Sequence, residues 1–490
     1  MRSLGTIVVS LLLSGCAVGP SFRRPQPPSA TNYTLQPLPE AVSAGDASTV
    51  DAQSFKRGAA VSGHWWTAFG SPTLDALEDE ALRHNPDLES ANAALRAARQ
   101  IYLSQQGNLF PSVSASSQAQ RQNTAGVLQS ALNDNSREYN LYSVGGTAAY
   151  TLDVFGGVRR SVEGARAQAE QQRFQTEAAY LTVTSNVANT VITLAGVERQ
   201  LAVLEQVLAA DRQLLGIIQQ QLRLGAASGA DVAAAQLALA QAEAAMPALA
   251  KQQAQSRDLL AVLVGRYPAD HFEIPDFATL HAPAELPVSV PSDLVNQRPD
   301  IRAVEAGIHY ASAQVGVAIA ARLPNFVLTA SGGGTSTALR TIFSNGNAFW
   351  SIAGNLLQPI FDGGILRHRQ HAAEATLDQA KAQYRSTVLT AMQNVADVLQ
   401  AITADANGAS SAARADAAAS RALQIAQAQA RLGQISGAST LTLQTVSLQA
   451  EENLAQAKTQ RLSDSVALYQ ALGGGWWNRN SADVSSDTSR

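Results

Sequence analysis

The chain has one cysteine, Cys16. A disulfide framework is excluded, and so is any site built on two thiolates. Methionine is almost as scarce, with three residues including the initiator. That leaves no support for a Met-lined path for soft metal ions. The formal net charge is only −4 over 490 residues. No basic cluster stands out, so a nucleic-acid partner is not expected. No run of eighteen or more apolar residues follows the N-terminus. An ordinary transmembrane helix is therefore not expected, and a bilayer crossing would have to use a closed barrel. Proline is missing from residues 158–224 and again from 365–432. No Gly-rich phosphate loop joins a strand to a helix and no His-Glu-x-x-His occurs, so neither an enzyme nor a cofactor is expected. His368 and His371 lie three apart on a helix, but no carboxylate or thiol joins them, and a solvated pair is the better reading than a metal site.

Hydrophobic residues make up 46% of the chain, enough for a large core. The N-terminus reads as a targeting segment, with Arg2 ahead of a short apolar core at 4–13. Leu13-Ser14-Gly15-Cys16 then matches a bacterial lipobox. Residues 1–15 would be the signal peptide, and the Cys16 thiol would carry the lipid. Ala17, rather than Asp, after the cysteine points to the outer membrane by the Gram-negative sorting rule. Residues 16–63 are Pro-rich and read as a lipid-anchored, extended tether, neither helix nor central strand. His64-Trp65-Trp66 opens the ordered region, with the two indoles as packing anchors.

From there one pattern occurs twice, at an offset of about 208 residues. Arg223-Leu224-Gly225 with Gly229 returns as Arg431-Leu432-Gly433 with Gly437. Asn85-Pro86-Asp87-Leu88 returns as Arg298-Pro299-Asp300-Ile301, and Phe155-Gly156-Gly157 as Phe361-Asp362-Gly363-Gly364. Residues 64–284 form one repeat and 285–474 the second, with a flexible tail at 475–490. Each runs in the order helix, β-hairpin, very long helix, tight turn, return helix. Residues 72–107 read as the first helix. The hairpins are expected at about 110–153 and 324–361, and the turns at 223–229 and 431–437. Glycine at 433 and 437 supplies the conformational freedom a tight reversal needs.

The strand pattern is two-faced. Tyr142, Val144, Gly146, Ala148, Tyr150 and Leu152 share one face, while Ser143, Gly145, Thr147 and Thr151 share the other. An outer-membrane strand has this alternation. The long segments are rich in Ala, Gln, Leu and Glu, good helix formers. At 1.5 Å per residue each would be roughly 100 Å long, too long for a compact domain and suited to a coiled coil or tube. Two hairpins give four strands, and four cannot close a barrel. The chain must associate to remove its sheet edges. A trimer gives twelve strands around a water-filled pore, and a dimer with eight is the arithmetical competitor.

These residues together resemble the TolC-type outer membrane factors, in the lipoprotein branch of OprM- and NodT-type efflux proteins. The matching positions are Cys16-Ala17-Val18-Gly19-Pro20 with Pro25, Trp65-Trp66, Phe69-Gly70, Leu74, Leu77, Asn85 to Leu88, Arg298 to Ile301, and the run from Pro359 to Gly364. The resemblance covers about residues 16–475. It implies a mixed α+β chain that forms a homotrimer, with a 12-stranded transmembrane β-barrel continued by a periplasmic α-helical coiled-coil tunnel. It also implies a role as exit duct of a tripartite efflux pump, joined through a periplasmic adaptor to an inner-membrane transporter, often of the RND type. The adaptor would meet the tips at Arg223, Leu224, Gly225, Gly229, Arg431, Leu432, Gly433 and Gly437.

The family often closes its periplasmic mouth with Asp rings past the second tip. Here Ser439 and Thr442 stand at those places, with Thr445 nearby. Asp231, past the first tip, is the nearest carboxylate, with a helix cap as its alternative role. A constriction of Leu441 and Leu443 is the expectation in place of the acidic gate. Two other readings stay open: a duct for protein or peptide secretion, and a lipid-anchored periplasmic coiled-coil scaffold without a pore.

Overall fold

The computed structural model describes residues 17–35, 39, 41–42, 51–128 and 135–479. Cys16 and the signal peptide therefore lie outside the described residues. The elements, in chain order, are β1 (Ala41–Val42), β2 (Gln53–Arg57), α1 (Pro72–His84), α2 (Pro86–Gly107), β3 (Ser112–Asn123), β4 (Glu138–Leu152), α3 (Gly157–Arg223), α4 (Gly229–Leu263), β5 (Glu285–Val288), α5 (Pro291–Gln297), α6 (Pro299–Ala320), β6 (Asn325–Ser336), β7 (Ala348–Leu357), α7 (Ile365–Arg431) and α8 (Gly437–Ala471). Helices α3 and α7 each contain 67 residues, and α4 and α8 each contain 35. Long proline-free stretches of strong helix formers explain the first pair. By length and composition alone α4 meets the test for a membrane-crossing helix, with a mean hydropathy of 1.2 in its best window. Alanine supplies about half of the apolar contribution to that value, with Val232, Leu237, Leu239, Met246 and Leu249 supplying the rest.

Residues 72–107 form two helices, where the sequence pattern reads as one. The reason is Pro86, whose ring disfavours helical backbone at the residue before it. Asn85 accordingly sits at φ −69, ψ 121. Its Oδ1 accepts from the amides of Asp87 (2.9 Å) and Leu88 (3.2 Å), and its Nδ2 donates to the Leu263 carbonyl (2.8 Å). Arg298 occupies the same kind of break between α5 and α6, extended at ψ 122 ahead of Pro299. It donates to Asp300 (2.7 Å) and to the Ala471 carbonyl (3.0 Å). The paired Asn-Pro and Arg-Pro motifs are thus helix breaks held by their own side chains.

The chain folds into two compact units, each drawing on both halves of the sequence. One takes in the described residues of 17–25, 94–173 and 303–385. Its centre is an antiparallel sheet in the order β3-β4-β6-β7. The described N-terminal strap lies on this unit. The Val18 amide donates to the Phe155 carbonyl (3.0 Å), and Arg160 donates to the carbonyls of Val18 (3.0 Å) and Gly19 (3.3 Å). Phe22 stacks on His309 at 4.4 Å, and Arg24 pairs with Glu305 at 2.9 Å.

The other unit takes in the described residues of 26–93, 174–302 and 386–479. Its core holds Trp65, Trp66, Phe69, Leu74, Ile192, Leu194, Leu260, Ile301, Leu399 and Ile402, all fully buried. Trp65 stacks on Tyr469 at 5.1 Å, so both indoles serve packing. Gly196 lets α3 approach α8 closely, because a Cβ there would stand 2.4 Å from Thr459 Oγ1. Within the segment read as tether, β2 becomes the middle strand of a small sheet, parallel to β5 through Ser54↔Glu285 to Arg57↔Val288. The proline argument against a central strand did not reach residues 53–57, which contain none.

Candidate functional site

The four-stranded sheet presents two chemically different faces. Cross-strand register aligns Val113 with Ala148, Tyr150 with Leu328, Ala330 with Ile352 and Gly332 with Trp350. Period-2 alternation then places Val113, Tyr142, Val144, Ala148, Tyr150, Phe326, Leu328, Trp350, Ile352 and Leu356 together. This face is apolar and open. Trp350 is 80% exposed, Val113 79% and Ile352 76%. Burying such side chains is worth about 1.5–3 kcal/mol each, so a contiguous exposed set marks contact with lipid or another chain.

The opposite face carries Ser112, Ser114, Ser116, Gln118, Gln120 and Gln122 of β3, then Ser143, Thr147 and Thr151 of β4. Thr329, Ser331, Thr335 and Ser351 continue it. Its side chains bond one another: Ser143 to Thr335 (3.0 Å), Ser331 to Ser351 (2.8 Å) and Gln120 to Gln122 (3.1 Å). These groups are neutral, and the face, which the register extends to Val327, Phe349 and Leu357, offers no charge to capture a particular solute. At the two ends of the sheet, β3 and β7 have no strand partner on their outer sides among the described residues.

The two tight turns share one geometry. At the first, the Gly225 amide donates to the Leu222 carbonyl (3.0 Å) and the Ala226 amide to that of Gln221 (2.8 Å). At the second, Gly433 donates to Ala430 (3.0 Å) and Gln434 to Gln429 (2.9 Å). Each is a Schellman closure around a glycine at φ +76 or +72, the left-handed region that costs other residues energy. The closures leave Leu224 and Leu432 exposed, at 76% and 73%, beside exposed Arg223 and Arg431. Gly229 and Gly437 open the returning helices one residue after their caps.

Asp231 is spent locally. The Ser228 amide and hydroxyl donate to its Oδ2 at 2.7 and 2.8 Å, while the Asp231 amide donates back to Ser228 Oγ at 3.2 Å. The reciprocal bonds form a capping box and hold the carboxyl below its ordinary pKa range. Ser439 fills the same place in the second turn, its amide donating to Ser436 Oγ at 3.1 Å. Thr442 donates back to the Ala438 carbonyl (3.1 Å), and Leu441 and Leu443 are half-buried in the single chain.

Sequence reading missed Asp211. It is 5% exposed on α3, and Thr445 of α8 donates to its Oδ1 at 3.2 Å. An acid is therefore present beside the second return helix, supplied by another helix 234 positions away. No local pattern announces it. His368 and His371 stand edge to face at 6.3 Å, and no group of three or more metal-ligating side chains occurs among the described residues.

Residues 77–266 and 290–474 match the profile of the outer membrane efflux protein family. The chain is 29% identical over 481 residues to the probable efflux pump outer membrane protein TtgC of Pseudomonas putida, covering 97% of this chain and 96% of that one. It is 30% identical over 483 residues to the outer membrane protein OprJ of Pseudomonas aeruginosa, covering 96% of each. Among solved structures, that of the outer-membrane channel OprN is similar with a TM-score of 0.80 at 27% identity, covering 94% of this chain and 100% of that one.

Proposed function

Because the chain belongs to the outer membrane efflux protein family, we propose that it is the outer-membrane exit duct of a tripartite efflux pump, carrying small toxic compounds passively to the cell exterior. The observation that carries the proposal is the sheet with one apolar and one small-polar face and two unpaired outer edges. Three copies joined edge to edge give twelve strands, an apolar band toward lipid and a Ser/Thr/Gln lining toward water. The alanine-rich α4 supports assembly as well, since only 6% of its most apolar window is buried within one chain. Close helix packing between copies would cover that surface.

The repeated order of hairpin, 67-residue helix, turn and 35-residue helix supports a duplicated chain whose helices line a periplasmic tunnel. Cys16 is the lipid attachment point in this reading. A periplasmic adaptor docks at the tips, where Leu224 and Leu432 stand out beside Arg223 and Arg431, around Gly225, Gly229, Gly433 and Gly437. An RND-type transporter in the inner membrane supplies the energy and the selectivity, because a neutral lining selects little. The periplasmic mouth closes at Leu441 and Leu443, with Ser439 and Thr442 where relatives carry acids and with the Asp211–Thr445 bond bracing the return helix. Asp231 contributes as a cap.

Site-specific photocrosslinking from positions 227 and 435 in cells tests this reading. Capture of an RND-type adaptor is the expected outcome. Capture of the adaptor of an ATP-driven exporter would move the assignment to secretion. No periplasmic partner, together with no conductance in planar bilayers, would overturn the duct.

A further inference from the structure

Two carboxyl groups meet where α7 and α8 pack together. Asp464 of α8 is 8% exposed, and its Oδ1 accepts from Gln460 Nε2 at 3.1 Å. Its Oδ2 has no hydrogen-bonding donor among the described residues. The carboxyl of Asp405, on α7, faces it within hydrogen-bonding reach. Two ionised carboxylates cannot bond, since neither can donate, and their like charges repel in a poorly solvated site. One proton between them resolves both problems. It gives the orphan oxygen a partner and removes one charge.

The surrounding charges leave that proton in demand. Arg461, one helical turn from Asp464, is 3% exposed. Its Nη2 donates to the Asp51 carbonyl (3.0 Å) and to Gln53 Oε1 (2.6 Å), turning the guanidinium toward β2. Its Nε finds no acceptor among the described residues. Burial lowers the Arg461 guanidinium below its ordinary range, with Asp51 and Asp405 opposing the shift, and no hydrogen bond joins it to the Asp464 carboxyl. The proton therefore sits on Asp464, whose buried Oδ2 otherwise lacks a partner.

We propose that Asp405 and Asp464 share one proton and form a pH-sensitive clasp between α7 and α8, closed while the proton is held and loosened when it leaves. Burial first, and the facing Asp405 second, push the Asp464 carboxyl up to about 7. In an opened clasp the carboxyl returns toward its ordinary 3.8. Between these values opening releases a proton, so the open fraction rises about tenfold per pH unit and levels off above the upper value. The inference rests on groups within one chain and does not depend on the channel assignment.

The test is hydrogen exchange by mass spectrometry on the purified full chain from pH 5.5 to 8.5, corrected for intrinsic exchange. Amides in 399–410 and 460–468 are expected to exchange at least tenfold faster at pH 7 than at 5.5 and to plateau above. Asp464→Asn keeps a donor toward Asp405, so it should hold the low-pH rate at every pH. Asp405→Asn removes the like charge and offers a donor to an ionised Asp464 while burial remains, so it should bring the plateau to a lower pH. A flat profile in the unaltered protein, or a rise that persists in Asp464→Asn, overturns the clasp. The unaltered protein decides the question alone should either variant fail to fold.

Discussion

Replacing Glu78 by Leu should stabilise the protein. Glu78 lies on α1, is 0% exposed, and packs toward α3 near Ala188. The Ala188 amide is within electrostatic reach, but a mid-helix N–H is committed to its own ladder. Neither carboxyl oxygen has a hydrogen-bonding partner among the described residues. Desolvation therefore pushes this carboxyl well above its ordinary 4.5, with the Asp75 and Asp79 charges adding to the shift. A buried polar group without a partner costs about 1–3 kcal/mol. A leucine in its place gains about 2 kcal/mol of transfer energy. Imperfect fit of the new shape takes back up to about 1.5 kcal/mol. The net expectation is a gain of about 2 kcal/mol, read as a higher thermal midpoint by far-UV circular dichroism in detergent. The sign with pH follows from linkage. The folded state holds a proton that the unfolded chain releases above 4.5, so this group's stabilising share is full below 4.5 and shrinks as pH rises. The advantage of Glu78→Leu should therefore be larger at pH 8.5 than at pH 5. Glu78→Gln should remove the pH dependence without the full gain, because an amide is left equally unpartnered. A Glu78→Leu variant no more stable than its parent at pH 8.5 would refute the reasoning and mean that the carboxyl has a partner in the assembled protein.

Neighbouring positions on β7 should respond in opposite ways to the same change. Trp350→Arg places a charge on the apolar face at a cost of about 2–4 kcal/mol near a bilayer midplane and should abolish recovery in outer-membrane fractions. Ser351→Arg lies on the polar face and should be recovered normally while lowering single-channel conductance. Arg160→Ala strips the donors from the Val18 and Gly19 carbonyls. At about 1–1.5 kcal/mol per lost bond, the strap should detach and tryptic cleavage after Arg23 should accelerate more than tenfold. Gly225→Val with Gly433→Val forces two left-handed residues to bear a Cβ, at about 1–2 kcal/mol each. With open space around both glycines, folding should survive while adaptor pull-down and drug resistance fall.

Elements with a strong local period were readable in the sequence. Proline-free stretches of helix formers mark α3 and α7 to within a residue or two, and the two-faced alternation marks β4. Where a tertiary or pairwise effect decides, the pattern falls silent. The break at Asn85 was written in Asn85-Pro86, yet apolar spacing on both sides argued for one helix. Strand β2 depends on pairing with the distant β5, in the register Ser54↔Glu285 to Arg57↔Val288, and five residues carry too little period to declare it. Glu78 sits between Leu77 and Asp79, where an acid reads as a solvated position, but the packed structure buries it completely.

Polar groups were hardest to read, and the two turns explain why. Ser228 and Ser436 cap the returning helices in the same way, and the third residue after each donates its amide to that serine. In the first turn this residue is Asp231, and its carboxyl closes the capping box. In the second it is Ser439, whose hydroxyl reaches Ser436 Oγ at 2.9 Å. Backbone geometry is thus preserved while one acid is gained or lost, so an acid's presence beside a turn says little about gating. Asp211 toward Thr445 and Asp405 toward Asp464 are among the carboxylates that bridge helices, each inside a long helix. Their positions are set by which helices lie side by side, and an acid in mid-helix carries no local mark of its neighbour. Charge placement at the tips therefore follows from capping chemistry, and proton- or hydrogen-bond-linked behaviour should be sought along the helix pairs.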